Sequence, residues 1–203
     1  YQLAFEAFQI EIVILKQPIG RQDQYAESYG GINNIKFCNN GDVLVEPIDI
    51  SDDIKSRISE EFTLIFTGKS RSASSILSNS VNEGKFAIDN LKRIRDQADE
   101  AKDFLNSGRL SDLGSLLNEA WEMKRGISES VSDSFLDETY ERIISTGATG
   151  AKLLGAGGGG FFLVHGDFET RQKLKLEFSS DFRMIPLNID NMGSSIIHND
   201  SQR

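Results

Sequence analysis

Gly150-Ala151-Lys152-Leu153-Leu154-Gly155-Ala156-Gly157-Gly158-Gly159-Gly160-Phe161-Phe162-Leu163 is the stretch on which the reading of the fold turns. Glycines without a Cβ let a backbone enter positive φ and approach another chain, or a phosphate, closely. Successive amides in such a turn can form a concavity that binds anions. A Walker loop is excluded, because no glycine here is followed by Lys and then Ser or Thr. Gly155, Gly157 and Gly160 fit the dinucleotide fingerprint in spacing, with Asp181 at a suitable distance for a ribose-binding acid. That motif must open a helix, whereas Phe161-Phe162-Leu163-Val164 is aromatic and β-branched and reads as a strand. What remains is strand, glycine turn, strand. On the residues alone the glycines serve either close packing or a phosphate.

Working outward, Gly160–His165 is a strand, Asp167–Phe178 a helix and Arg183–Ile189 a strand. Upstream, Asp133 caps a helix that runs through Ile144 and closes at Gly147. Before it, Leu110–Lys124 carries Leu113, Leu117 and Ala120 at helical spacing, with Trp121 and Met123 as core residues. Lys124 and Arg125 end that helix, where positive charge suits the dipole. Gly84–Ser107 repeats the pattern through Ala87, Leu91, Ile94, Ala98, Ala101 and Leu105. Phe62–Phe66 is a short apolar strand, and Gly193–Ile197 reads as a last one. Strands at both ends with helices between predict an α+β domain.

The first quarter of the chain is separate in character. Tyr1–Lys16 reads as a helix with Leu3, Ala7, Ile10 and Ile14 on one face and no capping residue before it. Either a trimmed end or a missing upstream piece explains such a start. Gln17-Pro18-Ile19-Gly20 is a turn, Arg21–Tyr29 a short helix, and Ile32–Phe37 with Val43–Ile48 a hairpin around Asn39-Asn40-Gly41-Asp42. Asp49–Glu61 is polar and predicts a linker with a helical turn, hence a domain boundary.

The 203 residues carry a net charge of −9 and one cysteine, Cys38. The charge argues against broad binding to nucleic acid or anionic membrane. A lone cysteine cannot form an internal disulfide and fits a cytoplasmic protein. His165 and His198 are too few and too scattered for a metal site and read as structural.

Two further clusters carry candidate chemistry. In Gly20-Arg21-Gln22-Asp23-Gln24-Tyr25, followed by Gly30-Gly31, Asp23 lies at a helix start, where an acid suits the dipole. The same carboxylate could take or orient a hydroxyl proton during phosphoryl transfer. Thr67-Gly68-Lys69-Ser70-Arg71-Ser72-Ala73 sets hydroxyls and cations between a strand and a helix. It is either a solvated basic helix start or a phosphate cradle.

The glycine stretch resembles the third signature motif of the GHMP superfamily of small-molecule kinases, which includes galactokinases and mevalonate kinases. The Gln-Asp-Gln-Tyr segment resembles the stretch that supplies their acidic catalytic residue, in a form most similar to bacterial D-glycero-D-manno-heptose 7-phosphate kinases. Thr67-Gly68 with Arg71 is similar to the same group. The resemblance runs along almost the whole chain. It implies residues 1–48 as the end of an S5-like α/β N-terminal domain and 49–203 as a ferredoxin-like α+β C-terminal domain. It implies ATP and Mg²⁺ as cofactors and a sugar or sugar phosphate as substrate. Asp23 would be catalytic, while Gly155, Gly157, Gly158 and Gly159 would border the nucleotide phosphates. Gln22, Gly30 and Gly31 would meet the sugar, and Arg71 the sugar phosphate or a nucleotide phosphate. The family's Gly-Ser-rich phosphate motif and its Mg²⁺ ligands have no counterpart here and would lie upstream of Tyr1, so this chain alone is expected to be inactive. A galactose- or fucose-type kinase, and a non-catalytic remnant used for binding, are the alternatives.

Overall fold

Two units divide the chain: Tyr1–Asp49 together with the segment from Ile189 onward, and Ile50–Asn188. They belong to a computed structural model that describes residues 1–69, 88–125, 131–180 and 182–195. Arg71 and His198 lie outside the described residues, as do Asp181 and the stretch from Ser70 to Ala87.

In the first unit α1 (Gln2–Phe8) continues into a π-helical stretch, Gln9–Ile14, and the chain reverses at Lys16, whose φ is +53°. Helix α2 (Gln22–Tyr29) follows, then β1 (Asn33–Phe37) and β2 (Val43–Pro47), paired antiparallel with Ile35 opposite Val45. Gly41, at φ +92°, turns the hairpin, and Cys38 N–H closes it on the Asp42 carbonyl. Ala4, Tyr25 and Val43 form the small core, with Tyr29, Ile35 and Val45 packed around it. The expected apolar face of the first helix is not the buried one. Ala4 is buried, while Leu3, Ile10 and Ile14 are exposed. The widened turn at Gln9 breaks the 3.6-residue period on which that expectation rests.

The segment from Ile189 packs on this unit rather than on the second one. Gly31 N–H donates to the Asp190 carbonyl at 2.7 Å, and Ser194 N–H to Glu27 at 3.2 Å. Placing everything after residue 49 in one domain therefore misses this return. Residues 193–195 form no strand, contrary to the expectation for Gly193–Ile197, and the rest of that stretch lies outside the described residues. Backbone bonds to the end of α2 hold the segment in place of a β-ladder.

The second unit opens with α3 (Asp52–Glu61), a full helix where a linker was expected. Ser51 caps it by accepting from Ile54 N–H, and Asp52 and Asp53 fill the first turn. Ile54 and Ile58 lie four apart, and Ile58 is buried, so the polar composition concealed one narrow apolar stripe. Next come β3 (Phe62–Phe66), α4 (Ile88–Ser107), α5 (Leu110–Arg125) and α6 (Ser134–Ser145). Then β4 (Gly150–Leu153), β5 (Phe161–His165), α7 (Phe168–Phe178) and β6 (Arg183–Pro186) complete it.

The sheet order is β4-β5-β3-β6, with every pair antiparallel. Relabelled by sequence within the sheet this is 2-3-1-4, the split βαβ arrangement of ferredoxin-like folds. Successive side chains alternate between faces. Ile65, Phe162, Val164, Ala151 and Leu153 fill one face against Trp121, Leu136, Ile143, Leu174 and Phe178. Burying each of the Ile, Leu, Val and Phe side chains stabilises the fold by about 1.5–3 kcal/mol. In α4, Leu105 is buried, but Ile94 and Ala98, expected on the same stripe, face solvent, and polar Gln97 is buried instead beside Met123.

Candidate functional site

The first unit holds a cleft of about 410 Å³ lined by Leu3, Ala7, Glu11, Ile19, Asp23, Gln24, Glu27, Ser28 and Ser194. Arg21 fixes the start of α2 from outside. Its guanidinium lies 5.4 Å from the Phe8 ring and 5.1 Å from that of Phe37, and donates to the Gly41 carbonyl. Tyr25 and Gln24 are buried, so the helix cannot rotate and Asp23 is left exposed at the cleft. Gln24 donates to Glu11, and its buried Oε1 has no hydrogen-bond partner among the described residues. Carboxylates, an amide oxygen and Ser28 thus supply acceptors for hydroxyl groups.

The other residues expected there have different surroundings. Gln22 does not line the cleft, since its carboxamide folds back over Gly20, where a Cβ would meet Oε1 at 2.1 Å. Gln24, not singled out by the sequence, lines the cleft. Gly30 and Gly31 have φ of +65° and +68° and meet the returning segment.

In the second unit the glycine turn joins β4 to β5, so the strand expected after Gly160 is present and the helix of a dinucleotide fold is not. Gly155 and Gly157 to Gly160 all have positive φ. Close packing accounts for part of this. A Cβ on Gly157 would lie 2.8 Å from the Val131 carbonyl, and one on Gly159 2.7 Å from that of Lys69. Gly158 N–H donates to Val131 and Gly160 N–H to Lys69, both at 2.8 Å. Gly155 and Gly160 differ, because a Cβ on either would meet nothing within 4 Å. The amides of Gly155, Ala156, Gly157 and Gly159 make no hydrogen bond to another described residue.

Thr67 and Lys69 are drawn onto this turn. Thr67 donates its hydroxyl and its N–H to the Gly160 carbonyl, both at 2.9 Å. Lys69 Nζ pairs with Asp133 at 3.0 Å and lies 4.1 Å from the Phe135 ring. Asp133 also caps α6, accepting from Leu136 N–H at 2.9 Å. The cation cluster read from the sequence is therefore tied to the glycine turn through Lys69, while Arg71 lies outside the described residues.

Two lysines complete the picture: Lys124, which the sequence offers only as a partner of the helix dipole, and Lys152, which it gives no role. Gly150 and Gly114 let β4 and α5 touch, for a Cβ on Gly150 would fall 2.0 Å from the Gly114 carbonyl. Ten residues further along α5, about 15 Å, Lys124 donates to the Gly155 carbonyl. Burial, and then the charge of Lys152 on β4, push its ammonium down to about 8. Burial likewise lowers Lys152. The signal available in the sequence was a lysine inside an apolar strand, Ala151-Lys152-Leu153.

His165 is structural, as expected: it is buried, bonded to Glu61 at 3.1 Å and edge-on to Phe62. Among the described residues no group of three or more His, Cys, Asp or Glu is arranged for a metal ion, and no helix is long and apolar enough to cross a membrane.

Residues 88–183 match the family described as GHMP kinases C terminal. The chain is 34% identical over 171 residues to D-glycero-alpha-D-manno-heptose 7-phosphate kinase of Campylobacter jejuni, covering 82% of this chain and 50% of that one. It is 27% identical over 184 residues to the bifunctional fucokinase/GDP-fucose pyrophosphorylase of Arabidopsis thaliana, covering 84% of this chain and 17% of that one. A solved structure described as a putative sugar kinase from Campylobacter jejuni superposes with a TM-score of 0.70 at 29% identity, covering 94% of this chain and 55% of that one. The chain thus spans half the length of the Campylobacter heptose kinase. With the β4-β5-β3-β6 sheet and its glycine turn, these likenesses agree: residues 88–183 belong to a GHMP kinase C-terminal domain.

Proposed function

We propose that this chain forms part of an ATP-dependent kinase that phosphorylates a sugar hydroxyl, with the anomeric hydroxyl of D-glycero-D-manno-heptose 7-phosphate as acceptor. The observation that carries the reading is Asp23, exposed at a cleft whose other polar groups are hydrogen-bond acceptors suited to hydroxyls. Asp23 takes the hydroxyl proton as the sugar oxygen attacks the γ-phosphorus of ATP, and the bond from that phosphorus to the oxygen of departing ADP breaks. The carboxylates of Glu11 and Glu27 repel a phosphate, so the cleft takes the hydroxyl end of the sugar. Arg71 is the cation proposed for the 7-phosphate. The glycine turn, in which the amides of Gly155, Ala156, Gly157 and Gly159 bond no other described residue, is proposed to border the nucleotide phosphates. The described residues offer no ready-made Mg²⁺ cage, so Mg²⁺ is proposed to enter with the nucleotide, whose phosphates are its usual ligands.

The fucokinase likeness favours a second reading, a kinase for an unphosphorylated sugar. The test is phosphorus NMR of product formation from ATP with heptose 7-phosphate, galactose or fucose, using this chain within a polypeptide of its relatives' full length. Asp23→Asn is expected to lower turnover at least 100-fold while changing the KM for ATP by less than about threefold. Unchanged turnover removes Asp23 from the reaction. Absence of turnover with every sugar leaves the remnant used for binding.

A further inference from the structure

We propose that Lys124 and Lys152 form, with the amides of the glycine turn, a binding site for phosphoryl oxygens centred on Gly155. The site stands on geometry first. The Gly114–Gly150 contact lays α5 along β4, so that the end of one and the exit of the other reach the same turn. Lys124 uses one of its three donors on the Gly155 carbonyl, which leaves two for a ligand. Lys152 lies one strand position from the buried Ala151 and Leu153 and so points to the opposite face, the face of Gly150, where α5 approaches.

The electrostatics then say what is wanted there. Both lysines are partly buried, and neither has a carboxylate within ion-pair distance among the described residues. Lys124 loses proton affinity to burial and to Lys152, so the two cations repel each other in a partly desolvated place. Water-poor cations are ordinarily paired, and unpaired ones are costly. An anion between them removes both penalties. Gly155, open on the side a Cβ would occupy, and the amides beside it that bond no other described residue admit that anion closely. A chain of net charge −9 repels anions elsewhere, which makes a local cation pair selective.

Phosphoryl oxygens could come from a nucleotide or from a sugar phosphate. The inference rests on the reading that the glycine turn borders phosphates and deepens it by naming the two lysines. Because it concerns anion binding by this chain without turnover, the two can fail separately. The experiment is calorimetric titration of the 203-residue chain with tripolyphosphate and, separately, with glucose 6-phosphate, at neutral pH and low salt. Saturable binding of either is expected, weakened at least tenfold in the double variant Lys124→Met/Lys152→Met and unchanged within twofold in Lys173→Met. Tighter tripolyphosphate binding assigns the site to a nucleotide, and tighter glucose 6-phosphate binding assigns it to a sugar phosphate. Absence of saturable binding by the folded parent, or binding that the double variant keeps, overturns the proposal. The double variant should also melt no lower than the parent without ligand, since it sheds two uncompensated charges. A clearly lower melting temperature shows that the fold itself holds those charges, and overturns it as well.

Discussion

Gly30 and Gly193 meet backbone to backbone: a Cβ on Gly30 would stand 2.5 Å from the Gly193 nitrogen. In return, a Cβ on Gly193 would stand 2.2 Å from the Ser28 carbonyl. Gly30 is also at φ +65°, which a side chain disfavours by about 1–2 kcal/mol. Gly30→Ala therefore combines a dihedral penalty with a backbone clash and should release residues 189–195 from α2. Gly41→Ala, at φ +92° but in open space, carries the dihedral penalty alone. Hydrogen exchange at Gly31 and Ser194, whose amides bond across this contact, should accelerate at least tenfold in Gly30→Ala and stay within about threefold in Gly41→Ala. Equal protection in both variants would show that the segment is held by something else.

The glycine turn separates into positions that pack, Gly157 and Gly159, and positions open on that side, Gly155 and Gly160. Gly157→Ala and Gly159→Ala drive a methyl into the carbonyls of Val131 and Lys69, and each should lower stability by more than about 2 kcal/mol. Gly155→Ala meets no atom and should lose only about 1 kcal/mol, from its positive φ. Urea unfolding with matched m-values measures this. The order Gly155 below Gly157 and Gly159 is the expected result, and equal losses contradict the packing assigned here.

The cap of α6 gives a prediction of known size. Asp133 accepts from Leu136 N–H and holds Lys69 at 3.0 Å. Asp133→Ala should cost about 0.5–2 kcal/mol through the cap, with little more from the half-exposed ion pair. Asp133→Ser keeps a capping oxygen and drops the charge, so it should recover most of the loss. A serine variant as unstable as the alanine one would make the ion pair the dominant contact.

These positions show what could be read before any coordinates. The glycine turn, the strands around it and the cap at Asp133 follow from local rules of period, turn and capping, and the structure has them. Helix α3 was obscured because its polar residues outnumber the apolar ones, and only the Ser51 cap and the Ile54–Ile58 step reveal it. The return of the Ile189 segment to the first unit is a long-range pairing that no local signal encodes. Asp23 was legible as an acid at a helix start, but its cleft arises from α1 and the returning segment together. Lys124 read as a dipole partner, since one helix viewed alone cannot show that its end reaches Gly155.

Lys124 yields a dependence on pH whose sign can be worked out. Its ordinary value of 10.5 is pushed down to about 8 in the folded chain, by burial first and by Lys152 second. Below pH 8 both folded and unfolded chains hold the proton, and the folded state carries the full penalty of the desolvated charge. Between 8 and 10.5 the unfolded chain binds more protons, so stability from this residue rises with pH. Above 10.5 neither state is charged and the penalty is gone. Lys124→Met never has the penalty. Its melting temperature should exceed the parent's most at pH 7, and the gap should close by pH 10. Groups that titrate alike in both proteins cancel in that difference, including Tyr140, raised to about 12 by burial and Glu122. Paired thermal melts from pH 7 to pH 10 measure the gap, and one that stays constant means that Lys124 is not charged and desolvated in the fold. Tripolyphosphate at pH 7 should narrow the gap as well, because an anion at Gly155 restores a partner to the same ammonium.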